Sequence, residues 1–112
     1  TIEQQSMRGT FTLWVCLSYG GRAEIIEAAR AMQKSGEDIT EESFGRHLWS
    51  EGMPGPDLII RTGGVERLSN FLPWQSTYSE LFFIHTLWPD FSESELKRIL
   101  EDYGTRERRM GR

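Results

Sequence analysis

Apolar positions along the chain fall into two patterns, short continuous runs and stripes at helical spacing. Residues 11–17 (F-T-L-W-V-C-L) are nearly all apolar and rich in β-forming side chains. The run is too short for a helix and predicts a strand buried on both faces, as in a parallel sheet. Cys16, inside that run, reads as a small buried hydrophobe. Gly20 and Gly21 then let the backbone turn tightly into a helix over 22–33. Ile25, Ala28, Ala29 and Met32 form its apolar stripe. Thr40 predicts the N-cap of a second helix, with Glu41 and Glu42 at its positive end and Phe44 and Leu48 on its buried face. Residues 50–56 hold two glycines and two prolines and form a loop. Residues 57–61 (D-L-I-I-R) predict a second strand and 81–84 a third. Between them, 67–80 stays open: Pro73 bars a regular helix through its missing N–H, yet suits an early helical position. Ser92 and Glu95 make a capping box, followed by Leu96, Ile99, Leu100 and Tyr103 at helical spacing. Gly104 ends that helix, or the basic tail extends it.

The order strand, helix, helix, strand, loop, strand, helix is an α/β arrangement. Three strands make a thin sheet for a complete doubly wound domain, and 112 residues allow one domain at most. No apolar run approaches the roughly 20 residues needed to span a bilayer. Four Trp, three Tyr and six Phe argue against disorder. Trp14, Trp49, Trp74 and Trp88 have no regular spacing and read as core. With Phe71, Leu72, Phe82 and Phe83 they could instead line an apolar cavity. A single cysteine excludes an intrachain disulfide and a cysteine-built zinc or iron–sulfur site. His47 and His85 are lone histidines that read as structural or surface groups. The net charge of −4 argues against nucleic-acid binding by bulk charge. The charge is uneven: residues 105–112 carry four arginines against one glutamate, a cationic tail on an acidic body.

Two glycine pairs follow predicted strands, Gly20-Gly21 and Gly63-Gly64. Ligands of open α/β sheets bind outside the carboxyl ends of the strands, where glycine backbone can approach a phosphate closely. Residues 61–70 (R-T-G-G-V-E-R-L-S-N) combine a glycine turn, hydroxyl donors and the guanidinium groups of Arg61 and Arg67, whose forks match phosphate oxygens. The segment reads as a phosphate or diphosphate site, or as a glycine turn with two solvated arginines. Glu80 is either a Mg²⁺ ligand beside that site or a strand-end carboxylate facing water. A diphosphate site beside an apolar cavity would suit an amphiphilic substrate.

Residues 18–22 (S-Y-G-G-R) are similar to the N-Y-G-G-R block of cis-prenyltransferases. Residues 57–64 (D-L-I-I-R-T-G-G), 67–75 (R-L-S-N-F-L-P-W-Q), 78–81 (Y-S-E-L), 87–91 (L-W-P-D-F) and 106–111 (R-E-R-R-M-G) resemble that family's later blocks, in the same order. The resemblance covers about residues 11–111 and is nearest to the undecaprenyl diphosphate synthase group. It implies the C-terminal part of a parallel six-stranded sheet flanked by helices. It implies an enzyme that condenses isopentenyl diphosphate with an allylic diphosphate such as farnesyl diphosphate to make a cis-polyprenyl diphosphate. It further implies Mg²⁺, a homodimer, and a cytoplasmic location with peripheral membrane association through the lipid product. By carry-over, Arg61, Arg67, Leu68 and Ser69 hold the diphosphate of isopentenyl diphosphate, and Glu80 helps bind Mg²⁺. Arg109 and Gly111 match the C-terminal R-x-G that reaches a partner subunit's site.

The chain departs from the pattern in places. Ser18 stands where the family usually has Asn, and Val65 where many members have Glu. The family's first block, an H-x-D-G-N segment with an essential Asp, does not occur. Residues 1–112 therefore read as the C-terminal half of one domain, with no catalytic residue of their own and no turnover alone. The alternative is a non-catalytic partner subunit, which need not keep Arg61, Arg67, Ser69 and Glu80; all four are present.

Overall fold

The computed structural model describes residues 11–106. Helix α1 (Gly21–Ser35) starts one residue before the predicted helix and ends at Gly36, a left-handed C-cap whose N–H donates to the Met32 carbonyl. Its buried face runs Gly21, Glu24, Ala28 and Met32. The predicted stripe is thus shifted: Ala28 and Met32 belong to it, Ala29 is exposed, and a glutamate occupies the next inward position. Helix α2 (Glu41–Gly45) is capped by Thr40, whose side chain accepts from the Ser43 N–H while Ser43 reciprocates. The Ser92 capping box forms as expected and starts α3 (Glu93–Thr105), which runs past Gly104. Of its predicted stripe only Ile99 is buried, and Leu100 is exposed.

Strands β1 (Leu58–Arg61) and β2 (Glu80–Phe83) pair in parallel, with Leu58 opposite Glu80 and Arg61 opposite Phe83. Residues 62–79 connect them through a series of turns, so the open stretch around Pro73 is neither helix nor strand. A short 3₁₀ turn (Trp88–Asp90) precedes α3. The small core consists of Ala28, Met32, Leu48, Ile59, Leu72, Phe82 and Ile99.

Three expectations are corrected. Residues 11–17 form no ladder among the described residues, which leaves two strands where three were predicted. A strand apolar on both faces needs neighbours on both edges and a layer on each side. Here its side chains are exposed instead, Leu17 by 83%, and Cys16 is exposed rather than buried. The four tryptophans are all exposed to some degree rather than core: Trp74 by 38%, Trp88 by 74%. Three of them make ring or hydrogen-bond contacts at the surface. Trp74 packs on Phe44 at 4.7 Å between ring centroids, Trp88 stacks on Phe91, and the Trp49 indole N–H donates to Glu27 Oε2 at 2.7 Å. The apolar cavity is a recess of about 210 Å³ whose lining includes Trp14, Trp49, Met53 and Leu72, and the β2 phenylalanines are not among its walls.

His47 is a surface group, as expected; its Nε2 lies 2.5 Å from Glu37 Oε1. That contact, and then the Arg46 guanidinium, hold the Glu37 carboxyl below the usual carboxylate range.

Candidate functional site

Arg61 ends β1, and the chain then reverses through Gly63 and Gly64, whose φ values are +90° and +75°. Left-handed backbone of this kind favours glycine. The two glycine N–H groups bond across to the Thr86 and Ile84 carbonyls, both at 2.9 Å. A Cβ on Gly64 would sit 2.9 Å from His85 Nδ1, so the turn lies tight against the end of β2. The following loop brings Ser69 back over Arg61. The Arg61 Nη1 donates to Ser69 Oγ at 2.7 Å and to the Arg67 carbonyl oxygen. Arg61, Thr62, Leu68 and Ser69 line a recess of about 290 Å³, walled on its apolar side by Ile59, Ile60 and Phe71.

Arg61, Leu68 and Ser69 are therefore brought together at the carboxyl end of the sheet, where α/β ligand sites form. Arg67 is exposed and meets Arg61 through its carbonyl oxygen. Ser69 Oγ accepts from Arg61, so its hydroxyl hydrogen remains free to donate to an anion.

Glu80 is elsewhere. It opens β2 opposite Leu58, three residues before the level of Arg61, a distance of about 10 Å along the strand. Its Oε2 accepts from Arg106 Nη1 at 3.0 Å. The Arg106 guanidinium also reaches Asp102 and lies 3.8 Å from the centroid of the Phe82 ring. The bond to Glu80, followed by that to Asp102, stabilises the charged form of Arg106. Among the described residues no three His, Cys, Asp or Glu side chains gather as a metal cluster. Glu80 thus offers Mg²⁺ one carboxylate. That fits an ion that takes its other ligands from phosphate and water, and it does not make an all-protein cage. Arg109 and Gly111 lie outside the described residues.

The sequence reading missed two features. The first glycine pair is not an anion cradle, because the first N–H groups of α1 are already used. Gly21 N–H donates to the Asn70 carbonyl, and Arg22 N–H to Asn70 Oδ1, each at 2.9 Å. The second feature is a buried cluster around Glu24, which is fully inaccessible to solvent. Its carboxylate accepts from the Tyr19 hydroxyl, from Gln75 Nε2 at 3.1 Å and from the Ser50 N–H at 3.2 Å. Burial, and then the Glu24 hydrogen bond and charge, push the Tyr19 phenol above its ordinary ionisation range. No local pattern signals either role, since Asn70 lies 48 residues from Arg22, and Ser50 and Gln75 lie 26 and 51 residues from Glu24.

The fold and the recess define an α/β chain with an arginine–serine recess at the carboxyl ends of parallel strands. The comparisons with known proteins give that class a family. A prenyltransferase family model, described as undecaprenyl diphosphate synthase, matches residues 1–111. The chain belongs to that family. It is 47% identical over 110 residues to an isoprenyl transferase of Fusobacterium nucleatum, covering 97% of this chain and 47% of that protein. It is 49% identical over 105 residues to an isoprenyl transferase of Thermotoga maritima, covering 89% and 45%. Among solved structures, a probable undecaprenyl diphosphate synthase from Campylobacter jejuni superposes with a TM-score of 0.75 at 40% identity, over 86% of this chain and 45% of that one. Lavandulyl diphosphate synthase from Lavandula x intermedia, in complex with dimethylallyl diphosphate, gives 0.78 at 42% identity, over 86% and 44%. The chain spans about half the length of the relatives it matches. No helix among the described residues is long and apolar enough to cross a membrane.

Proposed function

We propose that residues 1–112 are the C-terminal half of a cis-prenyltransferase domain, and that they carry its binding site for isopentenyl diphosphate. The observation that carries this reading is the Arg61–Ser69 pair in a recess beyond the end of β1, with an apolar wall beside it. Arg61 and Ser69 would donate to diphosphate oxygens, Arg67 would close over them from the loop, and Leu68 with Ile60 would meet the isoprenoid carbons. A guanidinium fork suits diphosphate because two parallel N–H groups match two oxygens. The relatives' names as isoprenyl transferases, and the allylic diphosphate bound in the lavandulyl diphosphate synthase structure, support the same chemistry.

In the whole enzyme the chain would join isopentenyl diphosphate to an allylic diphosphate such as farnesyl diphosphate, giving an undecaprenyl-type cis-polyprenyl diphosphate. Further strands would complete a six-stranded sheet beside residues 11–17, β1 and β2, and bring the acidic group that the catalytic step requires. Mg²⁺ would take the place of Arg106 on Glu80 and stabilise charge on diphosphate oxygens. Because Glu80 and the recess lie at opposite ends of the two strands, the diphosphate met by this ion would be another than the one held by this chain's own Arg61 and Ser69. A homodimer would then bring Arg109 and Gly111 to the partner's site, with the lipid product as the contact to the membrane.

Arg61→Ala is expected to weaken isopentenyl diphosphate binding by about 30-fold, the equivalent of roughly 2 kcal/mol for a lost charge-assisted bond. Arg61→Lys should recover only part of it, because an ammonium offers a point charge without the fork. Calorimetric titration of the full chain measures both. Unchanged affinity in Arg61→Ala would remove the recess from the substrate site.

A further inference from the structure

The recess depends on a loop in unfavourable backbone, and one residue of that loop is anchored from outside it. Ser69, Asn70 and Leu72 all have positive φ, at 49°, 68° and 48°. Left-handed backbone is disfavoured for residues with a Cβ, and Asn tolerates it better than most. Three such residues within four positions persist only where surrounding contacts hold them. Here the contacts converge on Asn70. Its carbonyl accepts from the Gly21 N–H and its Oδ1 from the Arg22 N–H, both at 2.9 Å. One residue thus caps the open end of α1 with backbone and side chain together, from 48 residues away. The fit is close: a Cβ on Gly20 would lie 3.3 Å from Asn70 Nδ2.

We infer that Asn70 is a positioning residue for the diphosphate recess: by clamping the loop to the first turn of α1 it holds the neighbouring Ser69 hydroxyl on Arg61. The inference rests on the diphosphate reading of the recess. Its physical content is preorganisation. Ser69 Oγ stands 2.7 Å from Arg61 Nη1 only while the backbone at 69 and 70 stays left-handed. With the clamp gone, the loop relaxes toward ordinary backbone and the two donors no longer converge on one anion. The hydrogen bonds of Asn70 run to Gly21 and Arg22, so it acts on Arg61 through Ser69.

The test compares Asn70→Ala, Asn70→Asp and Arg61→Ala in the whole enzyme that contains residues 1–112, by titration with inorganic pyrophosphate and by steady-state kinetics with isopentenyl diphosphate and farnesyl diphosphate. Asn70→Ala removes the side-chain acceptor and the tolerance for left-handed backbone, whereas Asn70→Asp keeps both. Asn70→Ala is expected to raise the pyrophosphate Kd and the KM for isopentenyl diphosphate about tenfold, with kcat within about twofold of the parent. Asn70→Asp is expected to restore both within about threefold. A general loss of folding would lower kcat and the active fraction and leave KM in place, so the split separates the two causes. If Arg61→Ala loses pyrophosphate while Asn70→Ala binds it normally, the positioning role is overturned and the site reading stands. If Arg61→Ala also binds normally, the site reading falls and the inference falls with it. Equal losses in Asn70→Ala and Asn70→Asp would overturn the clamp as well, because the aspartate retains its acceptor.

Discussion

A Gly21→Ala variant is expected to lose about 3 kcal/mol of stability, the upper part of the range for overpacking a tight contact. Helix propensity alone predicts the opposite sign, because alanine is favoured over glycine inside a helix by about 1 kcal/mol. Packing decides the outcome. A Cβ at position 21 would sit 2.0 Å from Pro73 Cδ, 2.4 Å from Pro73 Cγ and 3.0 Å from the Asn70 carbonyl oxygen. None of those atoms belongs to a flexible side-chain end; two are in a closed ring and the third is backbone. Helix α1 must therefore move off the loop, and the Gly21 and Arg22 bonds to Asn70 go with it. The loss should appear as a lower midpoint in urea denaturation, together with weakened pyrophosphate binding. Gly45→Ala is the matched control, since nothing lies within 4 Å of its added Cβ. It is expected to be neutral or stabilising by up to about 1 kcal/mol. Equal midpoints for the two variants would show that the ring of Pro73 can give way, and that the contact between α1 and the loop is not tight.

Local features of this chain were legible where the responsible atoms lie close in sequence. The Ser92 and Thr40 caps are satisfied within three residues, so they formed as read. The turn at Gly63 and Gly64 and the convergence of Arg61, Leu68 and Ser69 also follow from a nine-residue span. The errors have one cause. Apolar character favours burial, but burial depends on what lies across from the side chain. Residues 11–17 carry the composition of a doubly buried strand, yet no neighbouring strand pairs with them among the described residues. The tryptophans likewise sit on the surface of a small core. Glu24 is the converse case, a charged side chain that is buried. No residue pattern near Glu24 marks it as buried, although it occupies the inward row of α1 and finds its donors on three other segments.

That buried carboxylate sets the second large expectation: Glu24→Ala should cost about 4 kcal/mol, because several buried donors lose their acceptor at once. The Tyr19 hydroxyl, the Gln75 amide and the Ser50 N–H all converge on it. An unpaired buried donor costs about 1–3 kcal/mol, and partial relaxation toward solvent keeps the total below the sum. Gln75 ties the cluster to the loop that carries Ser69, so the recess should loosen as well. Glu24→Gln should be milder, at about half the loss. Its amide keeps one acceptor, and Gln75 Oε1, buried without a partner, can turn to take its new N–H. The Tyr19 phenol adds a pH signature. Its ionisation is raised in the folded state, first by burial and then by Glu24, whereas the unfolded phenol titrates near pH 10. Above that pH the unfolded state releases a proton that the folded state keeps, so stability falls as pH rises. The parent chain should lose stability between pH 10 and 11 more steeply than a Tyr19→Phe variant, read from urea midpoints at each pH. Parallel pH profiles would mean that the Tyr19 hydroxyl is not held against Glu24, and would remove one of the cluster's donors from the account.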